Sequence, residues 1–265
     1  MNLAEQPKLK LHFQRFEFKY QAPLDLVEGI IPELLKYMEW DSYAKDLPGK
    51  NYVVSSLYYD SAGFGCYYQK IDGDRTRKKL RIRFYDSDLK PQTSVFLEIK
   101  RKYDNVVVKD RLKLTNIQAY DLLNNNKKLN FDFSQHDQET LNEFLWFKVF
   151  NGMMPQNMVI YNRKPLISKV DPNFRVTLDY NLRTYLSNWI NNSKEGKLVN
   201  PGVVIIEVKF NNVLPFWFHS IIQRYNLDKR PFSKYCNSLE VCYPDLAGSV
   251  TEIYQSNLDL NQISN

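Results

Sequence analysis

Hydrophobic and polar residues alternate along most of the chain. A period of two residues is typical of β-strands that bury one face, whereas helices repeat every 3.6 residues. Glycine is scarce, with 9 residues in 265, which favours long strands over a loop-rich scaffold. The alternation predicts eight strands, at residues 13–20, 52–59, 79–86, 94–101, 105–114, 157–163, 174–181 and 203–210.

Helical periodicity marks a smaller part of the sequence. Pro32 lies within the first helical segment and predicts a kink or a split there. Turn residues at 72–75 and 86–91 predict hairpin loops, and the Asn- and Lys-rich stretch 124–128 predicts a loop tip. The helical segments are residues 24–38, 139–150 and 215–225, with a weaker one at 117–123.

These elements predict an antiparallel, β-rich α+β fold, with the sheet closed or nearly closed into a barrel. No linker rich in Pro, Gly or Ser divides the sequence, which indicates one domain over residues 1–265. The helical aromatic residues are expected in the core, with docking of an apolar helix face onto a membrane partner as the alternative. They are Trp146, Phe147, Phe150, Trp217 and Phe218.

Charged residues share one face of each predicted strand. Lys79, Arg81 and Arg83 lie together, opposite three apolar side chains. Bases and acids fall on common faces of the other strands in the same way: Arg15, Glu17 and Lys19; Glu98 and Lys100; Lys109, Arg111 and Lys113; Arg163; Arg175 and Asp179; Glu207 and Lys209. Six strands therefore match the first in having a strongly charged face.

Two interpretations of these faces stay open from the residues alone. Antiparallel sheets commonly expose one polar face to water. Arginine, however, carries a planar fork that suits bidentate phosphate binding, which a solvated face does not need. Charged faces that point inward would require counter-charges. A ligand with several phosphates would supply them, and the interleaved Glu residues would moderate the repulsion or hold a divalent cation.

Composition narrows the classes of protein to which the chain can belong. The net charge of +6 and the pI near 9.0 are compatible with an anionic partner without establishing one. Three cysteines without a Cys-x-x-Cys pair indicate reduced thiols and a cytoplasmic protein. No segment has signal-peptide character or the roughly 18 apolar residues that span a bilayer. A single-stranded nucleic acid is disfavoured because the aromatic residues are expected opposite the charges.

Nine short segments occur in an order that matches a known family. They read RFEFKY, SLYYDS, KLRIRFY, VFLEIKRK, VVVKDR, YNRKPL, FRVTLD, IIEVKF and PFSKY. Through them the chain resembles the VTC (vacuolar transporter chaperone) polyphosphate polymerase domain, within the triphosphate tunnel metalloenzyme (CYTH-like) superfamily. The resemblance covers about residues 13–243.

The resemblance implies an eight-stranded antiparallel barrel whose interior, a tunnel, binds triphosphate and Mn²⁺ or Mg²⁺. It also implies transfer of the γ-phosphate of ATP onto inorganic polyphosphate, and a membrane-protein partner that translocates the polyphosphate product. The catalytic residues it implies are Lys19, Arg81, Arg83, Lys100 and Glu207. Further phosphate contacts are expected from Lys109, Arg111, Arg163, Arg175, Lys209, Ser233 and Lys234, and Glu17 and Glu98 are expected beside Glu207 at the metal.

The sequence departs from the family pattern in two places. Pro231 stands where the C-terminal motif has a lysine, and Lys229 or Arg230 would have to compensate. Arg15 replaces the first Glu of the Glu-x-Glu-x-Lys motif of the superfamily's hydrolases, which favours a polymerase. A triphosphatase with a second carboxylate from Glu17, Glu98 or Glu240 stays an alternative, as does a non-catalytic polyphosphate-binding subunit.

Overall fold

The computed structural model describes residues 15–86, 89–104, 106–128, 132–191 and 195–247. Four parts of the sequence-based predictions lie outside these residues. They are the first two residues of the strand predicted at 13–20, the Arg15 side chain, Asn105, and residues 87–88 of the hairpin loop predicted at 86–91.

Each alternating segment forms a long strand, so all eight predicted strands are confirmed. They are β1 (Arg15–Pro23), β3 (Tyr52–Asp60), β4 (Thr76–Phe84), β5 (Ser94–Tyr103), β6 (Val106–Thr115), β7 (Met154–Ser168), β8 (Arg175–Leu186) and β10 (Val203–Asn211). The sequence pattern missed three short strands, β2 (Met38–Trp40), β9 (Lys197–Leu198) and β11 (Asp228–Lys229).

Within the part of the chain that the structure describes, the strands form one antiparallel sheet of 11 strands. Its order is β11-β1-β10-β8-β7-β3-β4-β5-β6, with β2 on β7 and β9 on β8. Among the described residues no ladder joins β6 to β1, so the closed barrel is not confirmed. The sheet is nevertheless strongly curled, because Lys100 Nζ on β5 lies 4.0 Å from Glu17 Oε2 on β1. We call the inner surface of this curled sheet the concave face.

In the described residues six α-helices accompany the sheet: α1 (Val27–Tyr37), α2 (Gly65–Ile71), α3 (Asn116–Asn124), α4 (Gln135–Phe150), α5 (Phe216–Arg224) and α6 (Lys234–Cys242). The predicted split at Pro32 is wrong, because α1 continues through that residue. Segment 72–75 joins α2 to β4 and is not a hairpin loop, whereas 86–91 joins the paired strands β4 and β5 as predicted. Within the described residues no helix has the length and apolarity of a bilayer span.

Four of these helices cover the outer, convex face of the sheet. α1 and α5 pack on β1, β8 and β10, where Val208 and Phe218 are buried, and α3 and α4 pack on β3 to β6 around Leu80 and Phe144. α6 instead contacts the charged residues of the other face, and α2 packs against α6. Burying each of these side chains contributes roughly 1.5–3 kcal/mol. The apolar strand faces therefore point outward into the helices, and the charged faces point inward.

Two of the helical aromatic residues predicted to be core are exposed. Trp146 and Phe150 are 57% and 71% exposed and stack on each other with ring centroids 4.7 Å apart. They lie on the side of α4 that faces away from the sheet. Phe144, on the side that faces the sheet, takes the core position and is fully buried. The prediction is correct for Phe147, Trp217 and Phe218, which pack against the core.

Candidate functional site

The strand register brings the charged residues together on the concave face. Residues opposite each other in an antiparallel pair share a face, so each cross-strand pair tests the sequence alternation. The pairs are Lys19 with Glu207, Glu17 with Lys209, Arg81 with Glu98, Glu98 with Arg111, Lys100 with Lys109, and Arg163 with Asp179. The common face predicted for these residues is confirmed.

The first wall of the site is the concave face of β4, β5 and β6, and it centres on Glu98. Glu98 Oε2 accepts a hydrogen bond from Arg81 Nε at 2.6 Å and lies 3.8 Å from Arg83 Nε. Its Oε1 lies 2.5 Å from Lys109 Nζ. The residue is only 1% exposed. Burial acts to raise the pKa of Glu98, but these three cations hold it well below its usual range, so the carboxylate stays ionised.

Other contacts fix the two arginines of the first wall. Arg83 Nε donates to Ser56 Oγ at 3.1 Å, and Arg81 Nη1 donates to the Tyr58 hydroxyl at 3.2 Å. Both partners lie on β3, so the guanidinium groups are held from two sides. Fixed donors of this kind bind phosphate oxygens with little loss of conformational entropy.

The second wall is the concave face of β1, β8 and β10, together with Arg163 of β7 and Lys234 of α6. Arg163 donates to both oxygens of Asp179 at 2.7 Å and lies 3.4 Å from Glu207 Oε2. Lys234 Nζ lies 2.5 Å from Asp179 Oδ2 and donates to Glu207 Oε1 at 2.7 Å. Burial acts to raise the pKa of Glu207, but Lys234, Lys19 and Arg163 hold it well below its usual range.

Helix α6 contacts both walls. Lys234 binds the carboxylates of the second wall, while Lys79 Nζ of the first wall lies 4.7 Å from the centroid of the Tyr235 ring. The Tyr235 hydroxyl donates a hydrogen bond of 2.5 Å to Asp60, the last residue of β3. Ser233 caps the helix, with its Oγ accepting from the Cys236 N–H at 3.2 Å. The C-terminal motif thus closes one side of the site.

Two lysines on the first wall have lowered pKa values. Burial lowers the pKa of Lys100 to about 8, since nearby Lys19 and Arg81 act in the same direction and Glu17 opposes them only in part. Burial also lowers the pKa of Lys109 to about 8, despite the attraction of Glu98. A bound polyanion would favour the charged forms of both lysines. The protein would therefore take up protons when a polyanion binds.

The carboxylates differ in how well they fit a divalent cation. Glu98 does not fit, because three cations surround it and it is buried. Glu207 is likewise buried among three cations, Lys234, Lys19 and Arg163. Glu17 lies on the adjacent strand, and its side chain is 27% exposed, so it is the carboxylate best placed for Mg²⁺ or Mn²⁺. In the described ranges no group of three or more His, Cys, Asp or Glu residues is arranged to hold a metal. Phosphate oxygens and water would have to complete the coordination.

Three basic residues named in the sequence analysis have exposed side chains. Arg175 lies opposite Lys209 in the register, at the start of β8, and its Nε donates to the Pro172 carbonyl at 3.2 Å. Lys229 lies over the Phe18 ring, 3.5 Å from its centroid, and Arg230 pairs with Asp228. Compensation for Pro231 by either residue therefore stays a prediction.

Aromatic side chains also lie on the charged face. Tyr52 is opposite Arg163 in the register, Tyr58 is opposite Arg81, and Phe96 is opposite Arg83. The Arg163 guanidinium and the Lys234 ammonium lie 5.4 and 4.9 Å from the centroid of the Tyr161 ring. The expectation that aromatic residues lie opposite the charges is correct for Tyr20, Phe84 and Phe210, which are buried in the core, and wrong for these four residues. Tyr52 and Tyr58 could not be assigned to the charged face from the sequence, because the strand YVVSSLYY lacks a regular alternation of polar and apolar residues.

Comparison with known proteins identifies the family. No curated protein matches the sequence. A crystal structure of a candidate adenylate cyclase from Bacillus halodurans aligns at 11% identity, covering 83% of this chain and 95% of its own, with a TM-score of 0.48. A Pyrococcus horikoshii protein aligns at 13% identity, covering 84% and 97%, with a TM-score of 0.41. The VTC domain family model matches residues 14–243, and the chain therefore belongs to the VTC domain family.

Proposed function

We propose that this chain is a metal-dependent polyphosphate polymerase, which transfers the γ-phosphate of ATP onto inorganic polyphosphate. Membership of the VTC domain family supports a function in binding triphosphate or polyphosphate. The observation that carries the proposal is the first wall, where Arg81, Arg83 and Lys109 converge around one carboxylate and Lys100 lies opposite Lys109. This excess of cations suits a ligand with several adjacent negative charges.

The transfer itself demands positioning and charge stabilisation from the protein. A terminal oxygen of the acceptor chain attacks the γ-phosphorus of ATP, the bond to the β,γ-bridging oxygen breaks, and ADP leaves. The acceptor oxygen is already ionised, so no general base is required. Arg81 and Arg83 would hold successive phosphates in line, and Lys19, Lys100 and Lys109 would offset the charge on the transferred group.

A divalent cation fits the second wall better than the first. Glu17 would hold it with Glu207, and the substrate phosphates would provide further oxygens. When bound, Mn²⁺ or Mg²⁺ neutralises charge on the phosphate oxygens. Lys19 lies 3.6 Å from both Glu17 Oε1 and Glu207 Oε1, so its ammonium group would keep the two carboxylates oriented.

A triphosphatase is the second candidate, favoured by the nearness of Glu17 to Glu207. Water activation needs a carboxylate beside the metal, and the other two candidates are committed elsewhere. Glu98 is surrounded by bases, and Glu240 accepts a hydrogen bond from the Tyr67 hydroxyl at 3.0 Å. Pro231 in the C-terminal motif favours a third candidate, a subunit that binds polyphosphate without polymerising it.

One assay separates the three candidates. Purified protein is incubated with ATP, or with tripolyphosphate, in Mn²⁺ and in Mg²⁺, and the products are resolved on a polyphosphate gel alongside a phosphate-release measurement. A polymerase makes long chains from ATP, and Arg81→Ala abolishes them. Orthophosphate release from tripolyphosphate without chain growth would establish the triphosphatase, and binding without turnover would establish the accessory subunit.

A further inference from the structure

An open cleft of about 560 Å³ lies at one end of the concave face. Three aromatic side chains line it, Tyr52 at the start of β3, Tyr85 directly after β4, and Phe96 near the start of β5. The Tyr85 ring meets the other two edge to face, with centroids 5.9 Å from Tyr52 and 5.8 Å from Phe96. All three rings are only partly buried, so the cleft offers aromatic surface to a ligand.

The cleft adjoins the cationic residues of the site. Tyr52 is the cross-strand partner of Arg163, and Phe96 is the partner of both Arg83 and Lys113. The Arg111 guanidinium lies 5.0 Å from the centroid of the Phe96 ring. Aromatic and cationic groups therefore meet at the boundary between the cleft and the first wall.

A chain of phosphates has no group that gains from aromatic surface. A nucleotide has such a group at one end and phosphates at the other, which matches the order of groups along this face. Stacking of a base on an aromatic side chain contributes roughly 1–3 kcal/mol and tolerates different bases. We propose that the Tyr52–Tyr85–Phe96 cleft binds the base of a nucleoside triphosphate donor, with Arg111 beside its first phosphates. This inference rests on the proposed function, since it concerns the donor of that reaction.

The subsite separates the nucleotide donor from the inorganic acceptor. Both ligands share the first wall, but only a nucleotide reaches the aromatic cleft. The protein should therefore bind ATP more tightly than inorganic tripolyphosphate. Stacking depends on the face of the base more than on its hydrogen-bonding edge. The affinities for GTP and CTP should therefore lie within about tenfold of the affinity for ATP.

Calorimetric titration of the full chain with ATP and with tripolyphosphate tests this inference. Tyr85→Ala should weaken ATP binding roughly 5- to 150-fold, which corresponds to about 1–3 kcal/mol, and should change tripolyphosphate binding less than twofold. Tyr85→Phe should keep the affinity for ATP. Tyr103→Ala, at an exposed tyrosine at the end of β5, is the matched control and should change neither ligand.

Equal losses for both ligands, or unchanged ATP binding, would overturn the subsite. A second measurement needs no variant. The triphosphate of 2-aminopurine riboside should lose fluorescence when it binds the wild-type chain, because stacking quenches that base, and full fluorescence in the bound state would also overturn the subsite. Tight tripolyphosphate binding with either negative result would leave the proposed function standing, whereas failure of both ligands to bind would refute the two together.

Discussion

The two walls of the site contain the same kinds of side chain in different proportions. On the first wall Arg81, Arg83 and Lys109 share a single carboxylate, Glu98. On the second wall Arg163 and Lys234 are matched by two buried carboxylates, Asp179 and Glu207. The first wall thus carries an excess of positive charge, and the second is close to neutral.

The difference appears between Lys100 and Lys109 on the first wall and Lys234 on the second. Burial lowers the pKa of Lys100 and Lys109 to about 8, because the first wall offers them too few carboxylates. Burial acts in the same direction on Lys234, but Asp179 and Glu207 raise its pKa well above the usual value. A balanced cluster contributes to the stability of the free protein, whereas an unbalanced one gains most when an anion binds. Variants of the two walls should therefore fail in different ways.

The largest effect is expected from breaking the balanced wall. Lys234→Met would leave Asp179 and Glu207 buried with too little positive charge, and removing one partner of a buried ion pair costs about 3–5 kcal/mol. We expect the free energy of unfolding, measured by urea denaturation, to fall by that amount. Lys229→Met, at an exposed lysine over the Phe18 ring, should cost less than about 1 kcal/mol. A loss at Lys234 no larger than this control would show that the second wall is not balanced by α6.

Removing a cation from the first wall should instead weaken anion binding. Arg81→Ala leaves Glu98 with Arg83 and Lys109, so the carboxylate keeps its compensation and the protein stays folded. Each lost hydrogen bond to a charged group costs about 1.5–3 kcal/mol, so tripolyphosphate affinity should fall roughly 10- to 150-fold in calorimetry. Arg75→Ala, at an arginine 88% exposed just before β4, is the control. A large loss of stability with unchanged affinity would reverse the roles of the walls.

The sequence predicted the first wall better than the second. Arg81 and Arg83 stand on a strand with clean alternation, so their shared face follows from backbone geometry alone. Asp179 follows the same rule, but its role depends on Arg163 from the next strand and Lys234 from a helix far along the chain. Contacts between distant segments cannot be read from a local period. Helix α6 was missed for a different reason. Its nine residues show no clear apolar stripe that would predict a helix.

The strand pattern also left the closure of the sheet open. Eight strands with one charged face are compatible with a flat sheet, a trough or a barrel, because alternation fixes which residues share a face and does not fix curvature. The contact between Lys100 and Glu17 shows the curl, and it joins strands that are not neighbours in the sheet. The aromatic cleft was missed for a related reason: Tyr52, Tyr85 and Phe96 come from three strand ends that only the hairpin geometry brings together.

A smaller effect is expected from pH. Below about pH 7 Lys100 and Lys109 are already charged in the free protein, so tripolyphosphate affinity should not change with their titration. Above pH 8 they are neutral, binding must take up protons, and affinity should fall by up to about tenfold per pH unit for each lysine. Calorimetry from pH 6.5 to 9.5 in buffers of different ionisation enthalpy would measure the uptake. The ratio of wild-type to Lys100→Met affinity at each pH removes the titration of the ligand itself, and a constant ratio would contradict the low pKa.

The smallest effect concerns the metal, and it distinguishes carboxylates on opposite sides of the site. Glu17→Gln removes one of the two oxygen donors on the second wall, but Glu207 and the phosphates remain, so we expect Mn²⁺ to bind about tenfold more weakly in the presence of tripolyphosphate, a cost of about 1.4 kcal/mol. Electron paramagnetic resonance of free Mn²⁺ measures this without turnover. Glu240→Gln is the matched control, because Glu240 binds the Tyr67 hydroxyl away from both walls. If the two variants weaken Mn²⁺ binding equally, or if neither does, the metal is held by the phosphates alone and the second wall serves stability only.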